Sequence, residues 1–72
     1  MEGKPLDVLN SSLNSRVIVV LRNGREYRGT LDGYDPHMNV ILKNAEEYVE
    51  GELVRKTENT LVRGDNIIFI SP

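Results

Sequence analysis

Seventy-two residues make at most one domain, and a chain this short buries only about 60% of its unfolded surface. With no cysteine and a single histidine, neither a disulfide framework nor a zinc site can supply the missing stability. No cofactor is therefore expected, and burial within a homo-oligomer is the expected remedy. Nine Lys and Arg against eleven Asp and Glu give a formal net charge of −2, which excludes a protein that coats nucleic acid through bulk basicity but not a local basic site.

In chain order, Leu6, Leu9 and Leu13 fall at helical spacing, with Pro5 at the start and Asp7 in the first turn, where the helix dipole favours an anion. This predicts one short amphipathic helix over residues 5–13, too short to persist in water without packing on something. From Arg16 the period changes. Val17-Ile18-Val19-Val20-Leu21 is a β-branched run of strand length, expected to be buried on both faces or nearly so. Asn23-Gly24 then predicts a type I′ hairpin turn, with positive φ at both positions.

The return strand starts at Glu26 and sets Tyr27, Gly29, Leu31 and Gly33 on one face. Two glycines on one face of a strand mark bends or close backbone approach, so a strongly curled sheet is expected. Asp35-Pro36 breaks the ladder, because proline cannot donate. A third strand runs from about Met38 to Val49, Glu50-Gly51 is a second turn, and Glu52–Val62 is a fourth strand. Arg63-Gly64-Asp65 makes a tight turn, with Gly64 free to take positive φ. Asn66–Ile70 closes the chain as a fifth strand.

The predicted fold is all-β: a short N-terminal helix and a strongly bent, five-stranded antiparallel small barrel over residues 16–70, with the strands in meander order. The almost wholly apolar last strand would invite aggregation as an open edge. Pairing it with a different edge strand of a neighbouring copy is a heterologous contact, and a ring is the closed form of such a contact.

Two polar segments carry side chains suited to gripping a nucleotide. If Met38 and Val40 begin the third strand, His37 and Asn39 share the opposite face. An imidazole there stacks on a base, and an amide pairs with a base edge through one donor and one acceptor. In the second segment Arg63 offers a planar guanidinium, and Asp65 is placed to orient either the Asn39 amide or the Arg63 head. On residue chemistry alone, an ordinary polar turn is the better account of each segment. Tyr34 is either a ligand-stacking ring or a rim aromatic. The arginines around the first hairpin, diluted by Glu26 and Asp32, read as a solvated face, and Glu46, Glu47, Glu50 and Glu52 as an acidic patch. The chain has no constellation for nucleophilic catalysis and no Gly-rich loop opening a helix, so no enzyme is expected.

Taken together, Val17–Leu42 with Asn23-Gly24, Gly29, Gly33 and Asp35-x-x-Met38-Asn39, followed by Leu61-Val62-Arg63-Gly64-Asp65-Asn66 and an apolar strand, resemble the two motifs of the Sm-like (LSm) family, closest to its archaeal, self-assembling branch. The resemblance spans essentially the whole chain as one Sm-like domain, residues 1–72. It implies the Sm fold, an SH3-like barrel whose fourth and fifth strands pair between adjacent subunits into a ring, typically a homoheptamer. It also implies binding of single-stranded, uridine-rich RNA at the central pore, one nucleotide per subunit, in support of RNA processing or metabolism. By position, His37 stacks on the base, Asn39 bonds its edge, Arg63 stacks from the neighbouring side, Asp65 orients Asn39, Gly64 keeps the turn tight and Asn66 assists. Tyr34 and Lys4 are a possible second RNA contact on the helix face. The chain has no leader of signal-peptide pattern and no apolar run of membrane-spanning length, so a cytoplasmic protein is expected. The competing expectation, a non-catalytic SH3-like protein-interaction scaffold, needs an aromatic-lined groove, and the chain has three tyrosines, one phenylalanine and no tryptophan.

Overall fold

The computed structural model of the protein describes residues 5–71. Helix α1 (Pro5–Ser11) precedes strands β1 (Arg16–Leu21), β2 (Glu26–Tyr34), β3 (Val40–Val49), β4 (Glu52–Val62) and β5 (Ile67–Ser71), with one 3-10 turn over Gly64–Asn66. The helix stops two residues short of the predicted Leu13. The Ser11 and Ser12 hydroxyls both donate to the Val8 carbonyl at 2.9 Å, which favours leaving the helix. Asn14 then turns left-handed at φ 66° and donates its N–H to the Leu31 carbonyl, tying the helix exit to β2.

All strand pairs are antiparallel, in the order β4-β3-β2-β1-β5. The first four strands form the expected meander. The fifth departs from it: β5 follows β4 in sequence yet pairs with β1, with Val19 opposite Ile70 and Val20 opposite Phe69. The cause is the 3-10 turn, which carries the chain across the sheet rather than back along β4. This leaves β4 and β5 as the two free edges.

The sheet curls where its register slips. Between Arg28 and Thr30 the partner strand carries an extra residue, Asn44, at φ 50°; between Leu31 and Gly33 the extra residue is on β2. Gly29 is required by close approach, since a Cβ there would lie 3.0 Å from the Lys43 carbonyl oxygen and 3.1 Å from the Ala45 Cα. Gly33 has room to spare, with nothing closer than 3.9 Å. The curl encloses Leu9, Val17, Val19, Leu21, Leu31, Val40, Leu42, Ala45 and Val62. β1 buries Val17, Val19 and Leu21 on one face and leaves Ile18 and Val20 half-buried on the other, short of the two-sided burial expected.

Two turns differ from expectation. Asn23 keeps a negative φ and only Gly24 is left-handed, at 84°. Leu21 and Arg25 close a three-residue loop, a tight turn followed by a left-handed glycine rather than a type I′ pair. The positive-φ pair occurs instead at Glu50 (51°) and Gly51 (81°). The hairpin arginines are not merely solvated. Arg16 pairs with Glu46 at 3.3 Å, Arg28 with Glu26 at 2.6 Å, and Glu47, buried rather than part of a surface patch, sits between Arg25 and Arg55. Two cations around one buried carboxylate offset its desolvation.

Both free edges carry exposed apolar side chains: Leu53, Val54 and Leu61 on β4, and Ile68 and Phe69 on β5. Among the described residues no helix is long and apolar enough to cross a membrane.

Candidate nucleic-acid interface

The loop between β2 and β3 is organised by Asp35. Pro36 has no N–H and a fixed φ, so the turn bonds elsewhere. Asp35 Oδ1 accepts the main-chain N–H groups of His37 (2.9 Å) and Asn39 (3.1 Å), while the Met38 N–H returns to the Asp35 carbonyl at 2.9 Å. Met38 passes through φ 67° and therefore lies in the loop; β3 begins at Val40, two residues later than expected. The predicted i, i+2 strand face for His37 and Asn39 is thus replaced by a loop. His37 is exposed and Asn39 half-buried.

The second loop docks on the first through Asn39. Its Oδ1 accepts the Gly64 N–H at 2.7 Å, and its Nδ2 donates to Asp35 Oδ2 at 3.0 Å. The carboxylate can only accept and the Gly64 N–H can only donate, so the amide is locked in one orientation. Asp35, not Asp65, orients Asn39. Asp65 takes its other expected partner, accepting from the Arg63 guanidinium at 3.2 Å; both groups are largely exposed, so this pair contributes direction more than stability.

Gly64 does not use positive φ either, as its turn is held by the Asn66 N–H donating to the Arg63 carbonyl at 3.1 Å. Its glycine requirement is steric. A Cβ there would overlap the His37 carbonyl oxygen and stand 2.8 Å from the Met38 carbonyl carbon, both backbone atoms that cannot yield cheaply. Gly64→Ala is expected to cost about 1–3 kcal/mol and to part the two loops, whereas Gly33→Ala, whose nearest neighbour is 3.9 Å away, is near neutral. Thermal melts of the two variants check this contrast.

His37, Met38, Asn39, Arg63, Gly64 and Asp65 line one open recess of ≈ 450 Å³. Asn66 lies outside it: its carbonyl accepts the Arg22 N–H at 2.9 Å, and it lines a smaller neighbouring cleft. Tyr34 also stays outside the recess, donating its hydroxyl to Asn10 Oδ1 at 3.3 Å and tying the helix to β2. Lys4 falls outside the described residues. Residue-by-residue reasoning missed Asp35 and Arg22. For Asp35 the signal was present, since an Asp side chain in a turn commonly bonds the backbone amide two residues on. Arg22 donates Nε to the Asp65 carbonyl at 2.9 Å across 43 residues of sequence, and nothing local announces that contact.

The Asn39 amide bond, with the two main-chain bonds and the nearby His37, holds the Asp35 carboxyl below its ordinary 3.8. A folded-state pKa lower than the unfolded one means that the bonding contributes stability above the unfolded value and is lost as pH falls through the folded one. The Asn39 side-chain amide resonances are therefore expected to titrate with a midpoint below 3.8. A midpoint at or above the ordinary carboxylate value would contradict this. Among the described residues no group of three or more His, Cys, Asp or Glu is placed to hold a metal ion.

A protein of Archaeoglobus fulgidus carrying the name snRNP Sm-like protein is 60% identical over 72 residues, covering 100% of this chain and 94% of its own length. A solved structure of the Pyrococcus abyssii Sm protein in complex with a uridine heptamer shares 47% identity and a TM-score of 0.94, over 97% of this chain and 99% of that one. A heptameric archaeal Sm protein matches at 41% identity and a TM-score of 0.85, over 92% and 96% of the two chains. The LSM domain model matches residues 7–72, and the chain belongs to the LSM domain family.

Proposed function

We propose that this chain forms a homoheptameric ring, β4 of one copy pairing with β5 of the next, and binds single-stranded uridine-rich RNA at the central pore, one nucleotide per subunit. It acts as a single LSM domain over residues 1–72, a cytoplasmic, non-catalytic binding module that supports RNA processing or metabolism. His37 and Arg63 supply the stacking surfaces, Asn39 reads the base, and Asp35 and Gly64 hold Asn39 in place.

One observation carries the reading: the locked Asn39 amide. An amide has two donors and two acceptor sites. Asp35 takes one donor and Gly64 one acceptor, which leaves one of each for a ligand. That pair complements the N3–H of uracil beside a ring carbonyl. Cytosine presents a lone pair at N3, so the same pose would set two acceptors together, and Asp35 prevents the amide from flipping to suit it. Support from outside the chain comes from the Pyrococcus abyssii relative, whose structure holds a uridine heptamer.

Sevenfold repetition explains how a chain of net charge −2 binds RNA. Each stacked base contributes roughly 1–3 kcal/mol, and linked sites convert weak contacts into tight binding of an oligonucleotide. Tyr34 and Lys4, the latter outside the described residues, are proposed as a second RNA contact. Fluorescence anisotropy with oligouridine and oligocytidine tests the main reading: clear preference for oligouridine is expected, and equal, negligible affinity for both would overturn it.

A further inference from the structure

Six arginines lie among the described residues, and five of them pair with Glu26, Glu46, Glu47 or Asp65 at 2.5–3.6 Å. Arg22 has no carboxylate partner among the described residues. It stands on the exposed β1–β2 loop and grips the second loop of the recess twice through main-chain atoms. Its N–H donates to the Asn66 carbonyl and its Nε to the Asp65 carbonyl, each at 2.9 Å. One of the five guanidinium N–H donors is thus used, and the four on the two Nη atoms make no hydrogen bond among the described residues. They adjoin the cleft of ≈ 150 Å³ lined by Leu21, Arg22, Asn23 and Asn66, next to the residues that line the larger recess.

We propose that Arg22 contacts the RNA backbone: Nε braces the Asp65 carbonyl while the Nη face takes the oxygens of a phosphodiester beside the base pocket. A planar fork matches two phosphate oxygens, and a cation with no carboxylate beside it keeps its full charge for them. Arg63, partly neutralised by Asp65, serves the base; Arg22 serves the strand. In a ring the contact repeats once per subunit, independently of base identity. The proposal rests on the uridine-RNA reading and adds a phosphate contact to it.

Arg22→Gln separates the two roles, because the Gln Nε2 stands at the chain position of the Arg Nε and keeps a donor for Asp65 while the Nη face is gone. Affinity for oligouridine is measured against KCl concentration for wild type, Arg22→Gln and Arg22→Lys, together with the oligouridine-to-oligocytidine ratio and the assembly mass. The log–log salt slope of Arg22→Gln is expected to be shallower by about 0.7 for each phosphate contact removed. Its base preference and assembly mass stay those of the wild type, and Arg22→Lys, which keeps the charge, stays near the wild-type slope. An unchanged slope in Arg22→Gln overturns the proposal, as does an unchanged slope accompanied by lost base preference, which would make Arg22 a brace alone. Wild-type protein without affinity for oligouridine overturns the uridine reading itself, a result distinct from either.

Discussion

Asn39→Ala is expected to abolish the preference for uridine while leaving the assembly mass unchanged. The substitution removes the donor–acceptor pair that reads the base and the bridge between the two loops. Asp35 Oδ2 and the Gly64 N–H lose their partner together. Each site loses about 1–3 kcal/mol, the usual cost of leaving a polar partner unmatched. Across linked sites these losses compound, so oligouridine falls to the affinity of oligocytidine rather than weakening slightly. Residual binding by stacking on His37 and Arg63 persists without base preference. Competition anisotropy measures the preference and light scattering the mass. A monomeric Asn39→Ala would make Asn39 a structural residue; an intact ring that still prefers uridine would remove it from base reading.

Ile68→Asp is expected to reduce the ring to monomers. Ile68 is 60% exposed in the single chain, on the free edge formed by β5. In the monomer the new carboxylate stays in water, so the fold survives. In a β4–β5 seam it would enter an edge whose exposed side chains include the apolar Leu53, Val54 and Leu61. Burying an isoleucine contributes about 1.5–3 kcal/mol, and the variant forfeits this at every interface as well as burying a charge. RNA binding falls with it, since single sites lack the gain from linkage. Light scattering with circular dichroism checks both halves of the prediction: folded monomers are expected, and an unchanged assembly mass would place the seam elsewhere.

The strands were legible because β-branched runs and Gly-marked turns are local signals. The path of β5 was not, since pairing with β1 joins residues about 50 positions apart. Whether Gly64–Asn66 folds back on β4 or crosses the sheet depends on tertiary contacts. The meeting of the two polar loops followed from recognising paired motifs, not from either segment alone. Within the recess, chemistry named His37, Asn39 and Arg63 but misjudged their support. Residue chemistry left Asp65 open to Asn39 or Arg63 and the resemblance assigned it to Asn39, yet the nearer Asp35 already holds two amides of the same loop and needs only one more bond to fix the side chain. Gly64 was expected to serve a left-handed turn, whereas its role is to let the His37 and Met38 carbonyl groups approach. Steric demands between distant segments leave no trace in local pattern, so a glycine chosen for space reads like one chosen for φ.

The central claim is a heptameric ring that holds uridine-rich RNA at one site per subunit. Native mass spectrometry of the purified protein, alone and with oligouridine or oligocytidine, tests it most directly. The account predicts a seven-copy mass, a single bound strand of oligouridine, and no retained oligocytidine under the same conditions. Monomers at every concentration, or a ring that retains both oligonucleotides equally or neither, would contradict it.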